Sequence, residues 1–309
     1  MIEHWREVLQ KLPTERVNRC VVCTDSVGIE DLRFKSLLML CDPYSVQRCP
    51  SCGLHWLSPR PNAEGYRRLY SQESYFGGSG ASPAQYEAVV TDRLDYFRSR
   101  IQRAARILQR STPLSVLDYG AATGDFVALA RAEGHHCEGV ELSDDARAAS
   151  LERLGISLLS SEQAESLKPG QFDLLHMNHV LEHMPNPAEH LRWCANLLKP
   201  DGLLVFEIPQ QFDNDLDRMR RLLHCGGRQL RFDAYSLHHT YFFNPKTVRL
   251  LLQRNGFEPL HLSTFNADKT PLWPPRARSW VLFFLLGMAD KLHRGGNIVE
   301  VFARRTVGM

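Results

Sequence analysis

"LDYGAATGDF", residues 117–126, ends an apolar run at a glycine-rich turn and leads straight into a helical pattern. A dinucleotide-binding turn reads G-x-G-x-x-G, and its middle glycine lets the backbone approach a pyrophosphate. Here that position is Ala122, and an acidic residue, Asp118, stands just before the first glycine. Gly120 and Gly124 still permit the turn and close ligand approach, and the helix N-terminus favours a negative group. Glu141 closes the next apolar run, 23 residues after Asp118. An acidic side chain there accepts hydrogen bonds from both ribose hydroxyls. Two carboxylates beside one ligand disfavour a pyrophosphate and favour a ligand with a positive centre. S-adenosylmethionine fits, with its ribose, adenine, ammonium, sulfonium and single carboxylate.

Outward from this turn, strand-like and helix-like segments alternate. "LSVLDYG", "HCEGVELS", "ISLLSS", "FDLLHMN", "LLVFEIP", "FEPLHLSTF" and "NIVEVFARR" read as strands. "FVALARAEG", "DDARAASLERLG", "PAEHLRWCANLLKPDG" and "NPKTVRLLLQRNG" read as helices. The alternation predicts an α/β fold, a largely parallel sheet covered on both faces. Upstream, Leu94, Phe97, Ile101, Ala105 and Leu108 recur at helical spacing, with arginines on a face read as solvated. Residues 210–240 and 266–295 interrupt the alternation and read as insertions, where substrate specificity resides. The first carries Arg218, Arg220, Arg221, Arg228 and Arg231. They bind a phosphate or carboxylate of the substrate, as in a nucleotide-sugar diphosphate, or they form a solvated helix face.

Residues 1–60 differ in kind. Cys20-x-x-Cys23 and Cys49-x-x-Cys52 form two knuckles that can direct four thiolates at one tetrahedral zinc. A closed four-sulfur shell leaves no open position, so this metal is expected to be structural and to supply folding energy to a block with little core. Cys41 and His55 are reserve ligands; Cys137, Cys194 and Cys225 read as ordinary thiols. The domain division expected is a zinc-binding segment at 1–60, a linker with lid and substrate helices at 61–113, and the cofactor domain at 114–309. Tyr75 and Phe76, beside "GGSGASP", are candidate lid residues.

Composition narrows the function classes. With 43% hydrophobic and 23% charged residues the chain is an ordinary globular protein, and its 309 residues suggest about two domains. The net charge is +2, and residues 1–60 hold 8 Lys+Arg against 7 Asp+Glu, so the knuckles lack the basic footprint of a nucleic-acid binder. The N-terminus has no apolar core of a signal peptide, and eight cysteines without one point to a reducing, cytoplasmic setting. "WVLFFLLGMA" (280–289) is too short for a bilayer, which needs about 20 residues. The surrounding segment 276–294 has three readings: a helix at a membrane surface, a homodimer contact, or a helix packed on the sheet.

The segments "VLDYGAATGDF", "GVELSDDA", "FDLLHMNHVLEHMPNP", "LLKPDGLLVFEIP" and "HHTYFFNPKTVRLLLQRNGFE" together resemble the class I S-adenosylmethionine-dependent methyltransferases, in the family's order. The resemblance is nearest to the small-molecule branch, which includes ubiquinone-pathway O-methyltransferases and sugar methyltransferases. "RCPSCGLHWLSPRP" resembles a zinc-binding N-terminal segment found on some of them. The resemblance implies a Rossmann-like sheet of seven strands, mostly parallel with an antiparallel last strand. It implies that Asp118 and the Gly120–Gly124 backbone, Ala122 included, hold the methionine portion. Glu141 would hold the ribose, Leu142 would pack on the adenine, and Gln163 would touch the adenine amine. Asn178 and His179 would line the cofactor near the sulfonium. Ala122 and Gln163 depart from the family's usual glycine and aspartate.

Methyl transfer is an in-line displacement at a carbon already activated by the sulfonium, so the protein mainly aligns the partners and excludes water. A hydroxyl acceptor must also lose a proton, and a positioned base contributes roughly 10²–10⁴-fold. Histidine suits that task near neutral pH. His239, His238 and His183 are the candidates, His183 standing also as a brace of its loop; His176, inside a strand, is expected to be buried. The first reading is therefore a small-molecule or glycan methyltransferase. The alternatives are a zinc-finger-bearing RNA methyltransferase and a non-catalytic scaffold of the same fold.

Overall fold

A computed structural model describes residues 10–32, 43–70, 83–110, 113–212, 214, 239–266 and 295–306. Among its described residues the N-terminal block has five short strands: β1 (Thr14–Glu15), β2 (Ile29–Glu30), β3 (Val46–Arg48), β4 (His55–Leu57) and β5 (Arg60–Pro61). Strands β2, β3 and β4 pair antiparallel, and β1 pairs with β5. Two helices follow, α1 (Ala63–Tyr70) and α2 (Pro83–Leu108).

The alternating part then runs β6 (Ser115–Tyr119), α3 (Asp125–Ala132), β7 (His136–Val140), α4 (Asp144–Leu154), α5 (Ser161–Ala164), β8 (Phe172–Asn178), α6 (Pro187–Leu197) and β9 (Leu198–Pro209). It ends with β10 (Tyr241–Phe242), α7 (Pro245–Arg254), β11 (Phe257–Phe265) and β12 (Ile298–Arg305). Six strands make the central sheet in the order β11-β12-β9-β8-β6-β7. Strands β6 to β9 are mutually parallel, and β12 runs antiparallel to both its neighbours.

Strand periodicity explains the two layers. On one face Leu117, Leu175, Leu204 and Phe206 pack with Leu191, Leu251 and other residues of α6 and α7. On the other, Val116, Leu174, Leu203 and Phe302 pack with Phe97, Ile101 and Ala104 of α2 and Val127 and Ala130 of α3. The helix ends follow local chemistry: Ser143 caps α4 and Gly155 closes it, while Asn244, Pro245 and Thr247 form a capping box opening α7.

Three expectations change. The "ISLLSS" segment contributes a single parallel bridge, Leu159 to Val140, because Ser160 is already committed to capping α5; among the described residues the sheet therefore has six strands rather than seven. The helix read through "LLKPDG" stops at Leu197, since Lys199 precedes a proline and the chain turns extended. The arginine face of α2 is not all solvated: Arg100 is buried against the sheet, as described below.

The N-terminal block does not stand apart. Strand β10 pairs antiparallel with β4 and makes its sheet four-stranded. Leu57 N–H donates to Thr240 O, Arg60 donates to Tyr241 Oη at 2.7 Å and to Pro185 O, and Arg254 donates to Val22 O. No helix among the described residues is long and apolar enough to cross a membrane. Segment 276–294, the arginines of 218–231, Tyr75, Phe76, Cys41, Cys225 and His238 lie outside the described residues.

Candidate active site

The turn after β6 is left-handed three times, at Gly120 (φ 79°), Ala122 (φ 47°) and Gly124 (φ 81°). At Gly120 a Cβ would come within 2.4 Å of Val180 Cγ2, so both conformation and space demand glycine. Ala122 accepts the strained conformation, and its N–H donates to Glu141 Oε2 at 2.8 Å. Ser143 N–H donates to the other oxygen, Oε1, at 2.9 Å. Glu141 is thus clamped at the mouth of the turn. Burial pushes its carboxyl pKa up against the pull of these N–H groups. Each oxygen accepts one bond in this clamp, and a carboxylate oxygen has two lone pairs, which suits a diol ligand.

A cavity of about 410 Å³ opens over this turn. Tyr119, Gly120, Ala122, Glu141, Leu142 and Ser161 line one part, and Asn178, His179, Val180 and His183 another. Ala63, Tyr66 and Arg67 of α1 complete the wall. Leu142 is 43% exposed, an apolar surface next to Glu141 where a flat base can pack. The remaining expected residues sit elsewhere. Asp118 lies beneath the turn, buried, with Oδ1 2.7 Å from His176 Nδ1. Gly124 is at the start of α3 and faces Ser150. Gln163 is outside the cavity: its amide oxygen accepts from Ser160 N–H at 2.8 Å, closing the capping box of α5, and Ser161 takes the place by the cavity.

Arg100 is the functional candidate that the sequence concealed. Its guanidinium donates to Glu207 Oε2 (2.9 Å), Glu300 Oε1 (3.2 Å), Asn178 Oδ1 (3.3 Å) and His176 Nε2 (3.1 Å). An arginine only donates, so His176 Nε2 is the acceptor and Nδ1–H donates to Asp118. Burial pushes the His176 pKa down and keeps the ring neutral in that tautomer. One cation therefore orients Asn178 directly and Asp118 through His176. It also acts on Glu207: burial pushes that carboxyl up, but Arg100, then His179, bring it down to about 2.

Beyond Asn178 the chain turns through His179, another non-glycine residue in the left-handed region (φ 54°). His179 Nε2 is 3.2 Å from Glu207 Oε1 and Nδ1 is 3.4 Å from Glu182 Oε1. Burial pulls its pKa down, yet Glu182 and Glu207 outweigh this and carry it up to about 9. Glu182 is fully buried, and neither carboxylate oxygen accepts a hydrogen bond among the described residues. His183 Nε2 and His239 Nε2 lie 3.8 and 3.9 Å from the same Oε1. Their rings meet edge-on at 4.7 Å. His183 lines the cavity, and His239, held by Gln211 Oε1 at 2.8 Å, sits behind it.

In the N-terminal block Cys20, Cys23, Cys49 and Cys52 bring their sulfurs within 4.8 Å of one another. Cys20 Sγ and Cys52 Sγ are 3.7 Å apart. A tetrahedron with arms of about 2.3 Å has edges of about 3.8 Å, so the spacing fits zinc. The knuckle N–H groups of Cys23 and Cys52 donate to Cys20 Sγ and Cys49 Sγ at 3.4 and 3.5 Å. Burial raises the Cys49 thiol, but the N–H groups of Cys52 and Ser51 bring it down to about 6, while burial pushes Cys23 up and the Cys20 contact with burial pushes Cys52 up. His55 is engaged with Asp31 at 3.3 Å and is not in this group.

The family whose description is "Methyltransferase domain" matches residues 90–262, more than half of the chain. The chain belongs to the class I S-adenosylmethionine-dependent methyltransferases. Two curated relatives are each called "Ubiquinone biosynthesis O-methyltransferase". That of Ralstonia nicotianae is 33% identical over 109 residues, 32% of this chain and 46% of the relative. That of Thiobacillus denitrificans is 33% identical over 100 residues, 29% of this chain and 42% of the relative. The match thus spans a little under half the length of these relatives. A solved S-adenosylmethionine-dependent methyltransferase from Archaeoglobus fulgidus aligns at 18% identity with a TM-score of 0.47, over 69% of this chain and 94% of that one.

Proposed function

We propose that the chain moves the methyl group of S-adenosylmethionine to a hydroxyl of a small-molecule or glycan acceptor, with His183 as the base. When bound, the cofactor supplies an electrophilic methyl carbon on its sulfonium. One observation carries the reading: a single cavity joins the Glu141–Leu142 end, fit for a nucleoside, to His183, a proton acceptor. Glu141 holds the ribose hydroxyls, Leu142 packs on the adenine, and the turn backbone, supported from beneath by buried Asp118, holds the methionine end. Asn178, fixed by Arg100, faces the reacting centre. His183 takes the acceptor's proton as the new bond forms, and His239 stands behind it. The Cys20, Cys23, Cys49 and Cys52 thiolates hold a structural zinc. Its four sulfurs leave no open coordination position, so the zinc's part is to fix the block that supplies Tyr66 and Arg67 to the cavity wall. The names of the curated relatives support oxygen as the acceptor atom.

Titration calorimetry of the zinc-replete chain with S-adenosylmethionine tests the reading. Micromolar binding that collapses in Glu141→Ala supports it, and a folded, zinc-loaded chain that does not bind overturns it. Methyl transfer from labelled cofactor to catechol and to a methyl glycoside then separates aromatic from sugar acceptors.

A further inference from the structure

We propose that Asn178 selects oxygen over nitrogen in the acceptor, by donating a side-chain N–H to the oxygen that receives the methyl group. The inference rests on the methyl-transfer reading above. Asn178 ends β8 and lines the cavity, and its amide offers an acceptor oxygen on one side and two N–H donors on the other. Arg100 decides which side is left for a ligand. A guanidinium has donors only, so the atom it meets at 3.3 Å is Oδ1. Nδ2 has no partner among the described residues, and its two hydrogens are left for the cavity. Arg100 is itself locked. It is 2% exposed, donates to Glu207 at 2.9 Å and to Glu300 at 3.2 Å, and has the Tyr96 ring 4.5 Å from its guanidinium carbon. Tyr96 Oη donates to the same two carboxylates, at 2.7 and 3.1 Å. Just past Asn178, His179 N–H donates to Glu207 O at 3.0 Å and fixes the backbone. The amide is therefore oriented before any ligand arrives.

Charge and valence then choose the ligand atom. The hydrogens of an amide N–H carry partial positive charge, so they are repelled by a sulfonium and attracted to an oxygen. A hydroxyl oxygen has two lone pairs. One forms the O–C bond while the S–C electron pair leaves with sulfur and the O–H proton goes to the base. The second lone pair stays free to accept from Asn178 Nδ2. A neutral amine nitrogen has a single lone pair, and the new N–C bond uses it. The amide thus keeps its hydrogen bond throughout the reaction with oxygen and is stranded in the reaction with nitrogen. A site built to donate to an oxygen discriminates against a group that cannot accept. One such bond is worth about tenfold.

The test uses two acceptors that carry a hydroxyl beside an amine, 2-aminophenol and methyl 2-amino-2-deoxyglucoside. Each is incubated with labelled S-adenosylmethionine, and chromatography reads the ratio of O- to N-methylated product. The ratio is internal to each reaction, so a merely structural role does not move it. The unaltered chain should give mainly the O-methyl product. Asn178→Ala should lower the ratio about tenfold, while calorimetry finds the dissociation constant for S-adenosylmethionine within about twofold of the unaltered chain. The ¹⁵N-labelled side-chain amide of Asn178, assigned by its loss in Asn178→Asp, should shift when the methylated probe is added to chain saturated with S-adenosylhomocysteine. An unchanged ratio, an amide signal that stays in place, or no O-methyl product from either probe overturns the proposal. So does a loss of cofactor affinity in Asn178→Ala, because the amide would then serve the methionine carboxylate. If Asn178→Ala does not fold, Asn178→Asp, of the same size and without a donor, is read in its place. Failure of the unaltered chain to bind the cofactor refutes the methyl-transfer reading instead.

Discussion

Ala122 N–H and Glu141 Oε2, 2.8 Å apart, tie the glycine-rich turn to the end of the neighbouring strand. The carboxylate proposed to meet the ribose thus also fixes the backbone proposed to meet the methionine end. Glu141→Gln keeps the size and loses the charge, and it should weaken S-adenosylmethionine at least tenfold. Glu141→Ala, which also frees the turn, should lose about a further tenfold. Calorimetry reads both.

The left-handed backbone at residue 122 makes an opposite prediction for stability. A non-glycine residue there costs about 1–2 kcal/mol, and glycine gives back part of this through its looser unfolded chain. Ala122→Gly should bind the cofactor as before and unfold up to about 1 kcal/mol later in a urea melt. A loss of binding would show that the methyl group of Ala122 itself packs on the ligand.

Arg100 offers a test of buried charge. Arg100→Met leaves Glu207 and Glu300 facing each other, and breaking such a pair costs about 3–5 kcal/mol. Arg100→Lys should retain the fold and still weaken cofactor binding, because one ammonium cannot reach four acceptors on three strands. Arg103 also pairs with Glu300, at 3.5 Å, but is partly exposed. Arg103→Ala should change stability by less than about 1 kcal/mol and leave binding intact.

The pH dependence of stability has a sign. His179 rises from 6.5 to about 9 on folding, so its contribution is fully present below 6.5 and disappears as pH climbs through about 9. Glu207 falls from 4.5 to about 2, so its contribution is present above 4.5 and is lost as pH drops through about 2. Tm should decline on both sides of this window. The alkaline decline should be smaller in His179→Gln, the ring being 32% exposed to the screening of solvent.

Metal removal should act at a distance. One zinc per chain is expected by elemental analysis, lost in Cys49→Ser. Because β4 pairs with β10, next to Thr240 and His239, chelation should broaden the NMR signal of His239 as well as those of the knuckle.

The parallel sheet, the cysteine knuckles and the place of Glu141 at a strand end were legible because each rests on local spacing: apolar runs, C-x-x-C pairs, an acid after an apolar run. The burial of Arg100 was not. An arginine on a helix reads as solvated unless the acceptors it meets are known, and these come from three strands between 76 and 200 residues away. Glu182 was passed over for a similar reason, since a Glu-His pair in a loop gives no sign that the glutamate turns inward. Gln163 shows a role the family pattern did not suggest: the N–H of a serine three residues earlier donates to its amide oxygen in a capping box.

The pairing of β4 with β10 also bears on how the chain is made. On the ribosome all four cysteines emerge before residue 60, but the outer strand of their sheet is not synthesised until residue 242. The cysteine block must therefore wait, incomplete along one edge, through the birth of the whole parallel sheet. A fragment ending before residue 240 should expose that edge to solvent and to other nascent chains, and aggregate where the full chain does not.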